Sequence, residues 1–204
     1  ELEYIYIDSG AMYRAMTLYA IENKLISDAG ADIKKIEKGL SSVNISFVPD
    51  KDYNPLTLLN GREVERQIRN IEVSSFVSEI SKIASVRRKM VALQRDMGKN
   101  KGIVMDGRDI GTVVFPYAEL KLFITADIDV RAKRRYDELV SKNMSISLDE
   151  IRNNIAERDR IDQSRSESPL KKADDAIIID NSNLTREEQL ERALGFANQI
   201  INAY

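Results

Sequence analysis

The chain has 204 residues, a formal net charge of −2, and 43% hydrophobic and 31% charged residues. This length allows one domain of ordinary size, or one core with a smaller appendage, and the nearly balanced charge argues against a dedicated nucleic-acid-binding protein. The chain contains no cysteine and no histidine, which excludes disulfides, thiolate catalysis, Cys-based zinc sites, histidine-ligated metals and catalytic triads. Any acid–base chemistry therefore falls to carboxylates. No stretch approaches the ~20 apolar residues of a membrane span and no signal peptide is visible, so we expect a cytoplasmic protein.

The beginning of the chain predicts a strand followed directly by a helix. Residues 4–7 alternate in a β-prone pattern, and apolar residues recur at helical spacing in the segment that follows. Asp8 or Ser9 is a natural N-cap for this helix. After the helix, residues 27–31 are typical of a loop, and residues 33–40 are typical of a short helix.

The region over residues 41–97 interrupts the alternation of strands and helices. Residues 43–48 and 56–59 have the pattern of strands, and Asn60-Gly61 is a strong signal for a tight turn. Two helices with apolar stripes follow. We interpret residues 41–97 as a small inserted subdomain, and residues 1–40 and 98–204 as the core domain.

Strands and charged helices alternate in the second half of the chain. Three apolar runs are typical of buried strands: residues 103–105, 120–124 and 177–179. The helices between and after them include a basic one capped by Asp127 or Asp129, a charged one over residues 148–161, and a final one with a Thr185–Glu188 capping box. This alternation predicts an α/β fold with a mostly parallel sheet and helices on both faces.

Charged residues are concentrated in the turn after residues 103–105. Asp106, Arg108 and Asp109 follow this strand, and ligands of open α/β sheets bind just beyond the carboxyl ends of the strands. Gly107 lets the backbone turn tightly, and the arginine fork suits a phosphate. The alternative is a solvated turn with a local Asp–Arg ion pair.

Three further clusters combine arginine with a hydroxyl or a carboxylate. They are residues 8–14, Ser78 with Arg87, and residues 158–165. Several arginines in one crevice would repel each other unless an anion lay among them, so convergence of these clusters would create a phosphate site. The alternative, in which they lie on separate solvated faces, stays open on charge alone.

Longer motifs in these clusters carry a family resemblance. Residues 8–15 look like a D-[ST]-G-A-x-Y-R segment, and residues 106–114 look like a D-G-R-D-[IM]-G-T-V-V segment. Residues 158–176 are similar to R-D-x-x-D-x-x-R followed by P-L and A-D-D-A. In order and spacing, these segments resemble bacterial cytidylate kinases, which are nucleoside monophosphate kinases. The resemblance implies a P-loop-NTPase-like parallel sheet with an inserted monophosphate-binding subdomain, and transfer of the γ-phosphate of ATP to CMP or dCMP.

The resemblance assigns the phosphate chemistry mainly to arginines. Arg14, Arg108 and Arg165 match the arginines that hold and neutralise the transferring phosphates. Phosphoryl transfer needs little beyond positioning and charge stabilisation, so arginines suit this role. Ser9 is expected near the acceptor phosphate, although a helix N-cap explains it equally well. Asp106 matches a carboxylate that holds water around Mg²⁺.

The resemblance also assigns residues to the base and the ribose. Ser78, Arg87 and Asp109 match the cytosine-reading residues of the family. Asp109 can accept a hydrogen bond from the exocyclic amine of cytosine, a donor that uracil lacks. Arg158 and Asp162 match residues at the ribose and share one face of a helix, where a plain intrahelical ion pair is the alternative.

The ATP side and the inserted subdomain resemble mobile parts of the family. Arg131 and Arg134 resemble the lid over ATP, at about residues 131–147, and a solvated basic face is the alternative. Residues 58–61 and the segment from Ile68 to Val73 resemble the inserted monophosphate-binding subdomain. Hinged closure over the substrates is the role that we expect for this subdomain.

One motif of the family is missing from this sequence. Bacterial cytidylate kinases begin with a strand, a G-x-x-x-x-G-K-[ST] phosphate loop and a helix. The nine glycines of this sequence never fall in that pattern. We expect that the protein carries roughly one more strand–loop–helix unit upstream of Glu1. An intact mass equal to the 23.2 kDa calculated for this sequence would contradict that expectation.

The expected partners are small molecules: CMP, dCMP and ATP with Mg²⁺. We expect a monomer that binds neither nucleic acid nor membranes. Two alternatives stay open, namely a kinase for another monophosphate such as UMP, and a nucleotide-binding module that is inactive without the phosphate loop. A structural interaction protein is a third, and titration with CMP would distinguish it from a binding module.

Overall fold

The computed structural model describes residues 2–27, 30–51, 54–141, 144, 146–165 and 167–203. The chain divides into two compact units, Glu1–Ile110 and Gly111–Tyr204. Each unit combines one pair of parallel strands with helices, so the predicted α/β fold class is confirmed. Within the described residues, no helix has the length and apolar character needed to cross a membrane.

The first unit combines parallel and antiparallel strands. Its strands are β1 (Ile5–Asp8), β2 (Ile26–Ser27), β3 (Gly30–Ala31), β4 (Ile45–Pro49), β5 (Pro55–Leu59), β6 (Arg62–Glu63) and β7 (Ile103–Asp106). Its helices are α1 (Ser9–Glu22), α2 (Ile33–Gly39), α3 (Ile71–Ile80) and α4 (Ala84–Met97), with 3-10 turns at Leu40–Ser42 and Gln67–Arg69. Strands β1 and β7 are parallel, whereas β4, β5 and β6 form an antiparallel sheet.

Helix α1 is the centre of the first unit. Met12 and Met16 on this helix are fully buried. One apolar core joins them to Ile45, Val73 and Met90, which lie in the region predicted as an inserted subdomain. Truncating either methionine to alanine is expected to cost about 2–5 kcal/mol of folding free energy. The division into a core domain and an insert at residues 41–97 stays a prediction.

The second unit contains the second parallel pair. Its strands are β8 (Leu122–Thr125) and β9 (Ile177–Asp180), and its helices are α5 (Ile128–Ser141), α6 (Leu148–Ser164) and α7 (Arg186–Ile201). A π-helical turn covers Ile110–Val114. Helices α5 and α6 pack through Ala132, Leu139 and Ile151. The loop predicted over residues 142–147 lies partly outside the described residues.

Several predicted turns and caps follow from local signals in the sequence. Asp8 is the N-cap of α1 and accepts a hydrogen bond from an amide of the first turn. Asn60 and Gly61 have φ angles of 51° and 79°, which suit a two-residue hairpin turn. Thr185 and Glu188 form the predicted capping box of α7. These three predictions are confirmed.

The segment over residues 27–31 differs from the prediction. It is not a plain loop, because β2 and β3 pair as a short antiparallel hairpin. The backbone N–H of Ala31 donates to Oε1 of Glu79 on α3 at 2.6 Å. The prediction was wrong because this support comes from a helix distant in sequence, which local propensity does not reveal.

Candidate active site

Two carboxylates stand side by side at the carboxyl ends of β1 and β7. The parallel register pairs Asp8 with Asp106. One oxygen of Asp8 accepts from the N–H of Ala11 at 3.0 Å, and the other lies 2.5 Å from Nη2 of Arg14. The same carboxylate therefore begins helix α1 and holds Arg14 at the strand ends, where open α/β proteins bind ligands.

The carboxylate of Asp106 accepts a hydrogen bond from a tyrosine and has a raised pKa. The Tyr6 hydroxyl donates a hydrogen bond to its Oδ1 at 2.9 Å. Partial burial and the charge of Asp8 raise the pKa of Asp106, against the opposing effects of the Tyr6 hydrogen bond and of Arg108 and Arg14. Because the net effect is a raised pKa, the negative charge of Asp106 is disfavoured where it stands. A positive charge bound beside the two carboxylates would therefore be stabilised.

Two glycines are required where the backbone approaches these side chains. A Cβ at Gly107 would overlap the hydroxyl of Ser9 and lie 2.9 Å from Cδ1 of Ile110. A Cβ at Gly10 would lie 2.9 Å from Oδ1 of Asp8 and 3.0 Å from Nη1 of Arg14. The glycines of the D-S-G and D-G-R-D motifs thus make room for the Ser9 hydroxyl and the Asp8–Arg14 ion pair.

A buried ion pair lies beside the strand ends. Nη2 of Arg87 donates to Oδ2 of Asp109 at 2.6 Å, and the two side chains are only 3% and 5% exposed. Nη1 of Arg87 donates to the carbonyl of Ser81 at 3.2 Å, and the guanidinium lies 5.4 Å from the ring centre of Tyr13. The Ser81 hydroxyl in turn donates to the carbonyl of Ser78 at 3.1 Å. The structure therefore joins Arg87 and Asp109 directly, and it links Ser78 to them only through its backbone carbonyl and Ser81.

Three residues of the first unit were not among the predicted site residues, although one of them, Arg69, lies in the segment that resembles the inserted subdomain. Glu65 accepts hydrogen bonds from the N–H and hydroxyl of Thr57 at 3.2 and 2.7 Å, and from Nε of Arg69 at 2.7 Å. Nη2 of Arg69 lies 3.9 Å from Oδ2 of Asp8. Tyr6 is the third. Two signals were available: Tyr6 shares a strand face with Asp8, and Glu65 and Arg69 have the i,i+4 spacing of an ion pair.

Arginines of the second unit bind other side chains and backbone groups. Nη1 of Arg131 lies 2.7 Å from Oδ2 of Asp159, which joins α5 to α6. Arg134 donates to the side-chain oxygen and the carbonyl of Asn181 at 3.0 and 2.8 Å, which ties α5 to the end of β9. Both arginines therefore have structural contacts that the sequence did not reveal.

The end of α6 carries the remaining predicted residues. Asp162 is buried and forms an ion pair with Arg165, whose side chain is nearly buried. The carbonyl of Asp162 accepts a hydrogen bond from the N–H of Leu170 at 2.8 Å, which fixes the segment after the helix. Arg158 lies on the same helix and is exposed.

The predicted site residues fall into two groups. The first unit holds Ser9, Arg14, Ser78, Arg87, Asp106, Arg108 and Asp109, and the second holds Arg131, Arg134, Arg158, Asp162 and Arg165. In the first unit, the charges of Arg14 and Arg108 both act on Asp106. In the second, Asp162 pairs with Arg165. Their assigned roles stay predictions.

A divalent metal fits the first unit only as a sparsely ligated ion. The described residues contain no group of three or more carboxylates that could enclose a metal. Asp8 is already engaged by Arg14, which leaves Asp106 as the carboxylate whose raised pKa a cation would relieve. Mg²⁺ in phosphate-transfer sites keeps several waters and uses one or two carboxylates, so Asp106 fits such an ion.

Arginines and carboxylates at the ends of parallel strands define the chain as an α/β protein built to bind phosphate esters. The cytidylate kinase family model matches residues 1–199. A cytidylate kinase of Bacteroides fragilis is 53% identical over 204 residues, covering 100% of this chain and 89% of the relative. The chain therefore belongs to the cytidylate kinase family, whose fold is that of the P-loop NTPases.

Other relatives give the same result. A cytidylate kinase of Bacteroides thetaiotaomicron is 55% identical over 192 residues, which cover 94% of this chain and 84% of the relative. A cytidylate kinase of Flavobacterium psychrophilum is 51% identical over 204 residues, with 98% of this chain and 88% of the relative covered. The family resemblance drawn from the sequence motifs is thus confirmed over the length of the chain.

Proposed function

We propose that this chain transfers the γ-phosphoryl group of Mg·ATP directly to CMP and dCMP, giving the corresponding diphosphates. As a member of the cytidylate kinase family, it is a phosphotransferase that acts on CMP with ATP as the donor. The residue assignments rest on two observations, the buried Arg87–Asp109 pair and the Arg14–Asp8 pair at the strand ends.

The buried pair supports recognition of cytosine. Arg87 holds the Asp109 carboxylate at 2.6 Å in a place with little access to water. A carboxylate accepts from the exocyclic amine of cytosine, whereas uracil presents a carbonyl oxygen that cannot donate. Uracil would place a carbonyl oxygen against this carboxylate, and the lost hydrogen bond together with the repulsion between the two oxygens would discriminate against uracil. Ser78 is the proposed third member through its link to Ser81.

The phosphate residues are proposed to act by charge and position. Arg14, Arg108 and Arg165 would neutralise charge that builds up on the transferring phosphoryl group, and Ser9 would donate to the acceptor phosphate. Such groups lower the barrier because they are already oriented before the reaction. Asp106 would hold water of a bound Mg²⁺, which supplies charge neutralisation between the phosphates. No covalent intermediate is needed, which agrees with the absence of cysteine and histidine.

The ribose and ATP residues are proposed on the family motifs. Arg158 and Asp162 would contact the ribose, and Arg131 and Arg134 would cover ATP. Because Arg131 and Arg134 bond Asp159 and Asn181, binding ATP through them requires that these partners be exchanged. We further propose that the protein acts in the cytoplasm as a monomer.

An ATP-coupled assay on the full-length protein across nucleoside monophosphates tests this function. We expect consumption of ATP with CMP and dCMP, and much slower consumption with UMP. Activity with UMP but not with CMP would contradict the proposal and favour a different monophosphate kinase. CMP binding without turnover would indicate a binding module, and the absence of heat on titration with CMP would argue against any nucleotide role.

Asp109→Asn sharpens the assay because the amide keeps the size of the side chain and loses its charge. We expect the ratio of kcat/KM for CMP to that for UMP to fall, since an amide can present a donor to uracil. Asp96→Asn is a suitable control, because this aspartate lies outside the family motifs and forms an exposed ion pair with Lys99. An unchanged ratio in Asp109→Asn would contradict the base assignment.

A further inference from the structure

We propose that Asn60 is a site of spontaneous covalent modification, at which its side-chain amide is converted to aspartate and isoaspartate through a cyclic imide. Asn60-Gly61 is the only asparagine–glycine pair of the sequence. The two residues form the turn between β5 and β6, and both are exposed. The chemistry of this turn does not depend on the proposed function.

The reaction joins the backbone of Gly61 to the side chain of Asn60. The backbone nitrogen of Gly61 attacks Cγ of Asn60, and the bond from Cγ to Nδ2 breaks. Ammonia leaves with the proton of the attacking nitrogen, and a five-membered succinimide remains. Water then adds to one of the two ring carbonyls, which gives aspartate from one side and isoaspartate from the other. Water is the only co-reactant, and attack within one chain is fast when the two atoms can meet.

The attacking nitrogen is accessible because residue 61 is a glycine. Gly61 has no side chain to shield its nitrogen, and a glycine changes its backbone angles at little cost. A Cβ at this position would meet no neighbouring group within 4 Å, so the turn projects into open space. The backbone of the turn can therefore rotate to bring this nitrogen to Cγ of Asn60 without displacing another part of the chain.

The carbonyl that is attacked accepts a hydrogen bond from the neighbouring strand. The N–H of Asn44 donates to Oδ1 of Asn60 at 2.7 Å, and the N–H of Asn60 donates to the carbonyl of Asn44 at 2.8 Å. A donor directed at Oδ1 stabilises the negative charge that develops on this oxygen when Cγ is attacked. The backbone of Asn44 thus holds the reacting side chain and favours the reaction.

The isoaspartate product adds one main-chain carbon to a two-residue turn. Loop length sets the register of a hairpin, and this turn pairs Leu59 with Arg62. Arg62 donates to both oxygens of Glu22 at 2.6 and 2.7 Å, which ties the hairpin to α1. We therefore expect isoaspartate to displace Arg62 and to lower the thermal midpoint. Aspartate keeps the length of the turn and an oxygen for the Asn44 N–H.

Ageing of the full-length protein in warm neutral buffer, followed by peptide mapping, tests the inference. Asn100 is the internal control, because it is an exposed asparagine followed by a lysine. We expect Asn60 to be converted several-fold faster than Asn100, with isoaspartate among its products. Direct hydrolysis of the side chain gives aspartate alone, so isoaspartate identifies the cyclic route. Faster conversion of Asn100, or aspartate without isoaspartate at residue 60, would overturn the inference.

Two variants supply the matched controls. Asn60→Gly places a residue suited to the φ of 51° and removes the reacting amide, so the first acidic species of the aged wild type should be absent. Asn60→Asp supplies the aspartate product without ageing and should melt close to the unaged wild type, whereas the isoaspartate fraction should melt earlier. The same acidic species in aged Asn60→Gly would overturn the assignment to this residue. An isoaspartate fraction with an unchanged thermal midpoint would overturn the expected effect on the hairpin.

Discussion

Two arginine ion pairs, one in each unit, differ in burial, although the second unit also holds the buried Asp162–Arg165 pair. In the first unit, Arg87 is buried and pairs with Asp109, and both residues belong to the predicted site. In the second unit, Arg131 is about one-third exposed and pairs with Asp159, a residue outside the predicted site. A buried pair is lost only at high cost, whereas a partly exposed pair exchanges partners easily. The difference suits a fixed acceptor site and an adjustable ATP side.

Arg108→Ala has the largest expected effect on activity. We expect kcat to fall by ~10³–10⁵, the range for arginines that stabilise phosphoryl transfer. Arg62→Ala is the control, because Arg62 forms an exposed ion pair with Glu22, has no assigned role in the reaction and should leave turnover unchanged. Steady-state assays with CMP and ATP measure both variants. A normal kcat in Arg108→Ala would remove the proposed role of this residue.

Breaking the buried pair tests the comparison of the two units directly. Arg87→Met leaves the Asp109 charge buried without its partner, so we expect the free energy of unfolding to fall by about 3–5 kcal/mol. Arg131→Met removes the partly exposed pair and should cost at most about 1 kcal/mol. Urea unfolding followed by circular dichroism measures both values.

A double variant provides the internal control for this comparison. Arg87→Met combined with Asp109→Leu removes both charges and should recover most of the lost stability, because no unpaired charge remains. Equal losses in Arg87→Met and Arg131→Met would mean that burial does not distinguish the stability of these two ion pairs. The contrast drawn between a fixed and an adjustable side would then be wrong.

Gly107→Ala has a smaller expected effect and tests the packing at the strand ends. The added Cβ would overlap the Ser9 hydroxyl, so we expect a loss of about 1–3 kcal/mol, as for overpacking. Ser9→Ala in the same chain removes the overlapping oxygen and should restore part of the stability. Because the added Cβ also approaches Ile110 at 2.9 Å, full recovery is not expected. No recovery at all would show that Ser9 is not the obstacle.

The sequence predicted features that depend on neighbouring residues. The Asp8 cap, the Asn60-Gly61 turn and the strand that ends at Asp106 each arise from a few adjacent side chains. The family motifs predicted that Arg87 and Asp109 belong to one function, but not that they bond to each other across 22 positions.

Contacts between distant segments could not be predicted in the same way. The Tyr6–Asp106 hydrogen bond spans 100 positions and depends on the register of two parallel strands. Ala31, on the strand that pairs with Ile26–Ser27, donates to Glu79, which lies 48 positions away. In these cases tertiary packing brings together groups whose local sequences carry no mutual signal.

Asp106→Asn has the smallest expected effect on stability. Unlike most substitutions, it is expected to stabilise the folded protein. Partial burial and the charge of Asp8 raise the pKa of Asp106 above its ordinary value of 3.8, so the charged carboxylate destabilises the folded state. This loss of stability is absent below the unfolded-state pKa. It grows as the pH rises from the unfolded-state pKa to the raised folded-state pKa, and it is complete at neutral pH.

Asparagine removes the charge and keeps an oxygen that can accept from Tyr6, which bonds to the carboxylate at 2.9 Å. We therefore expect Asp106→Asn to raise the thermal midpoint at neutral pH and to lose this advantage in acid, while kcat with CMP and Mg·ATP falls. Tyr6→Phe is the matched variant, since it removes the hydrogen bond and leaves the charge, and it should lower the midpoint at neutral pH. A lower midpoint in Asp106→Asn at neutral pH would show that the carboxylate stabilises the strand ends, and the first unit would then hold no excess negative charge for a cation to relieve.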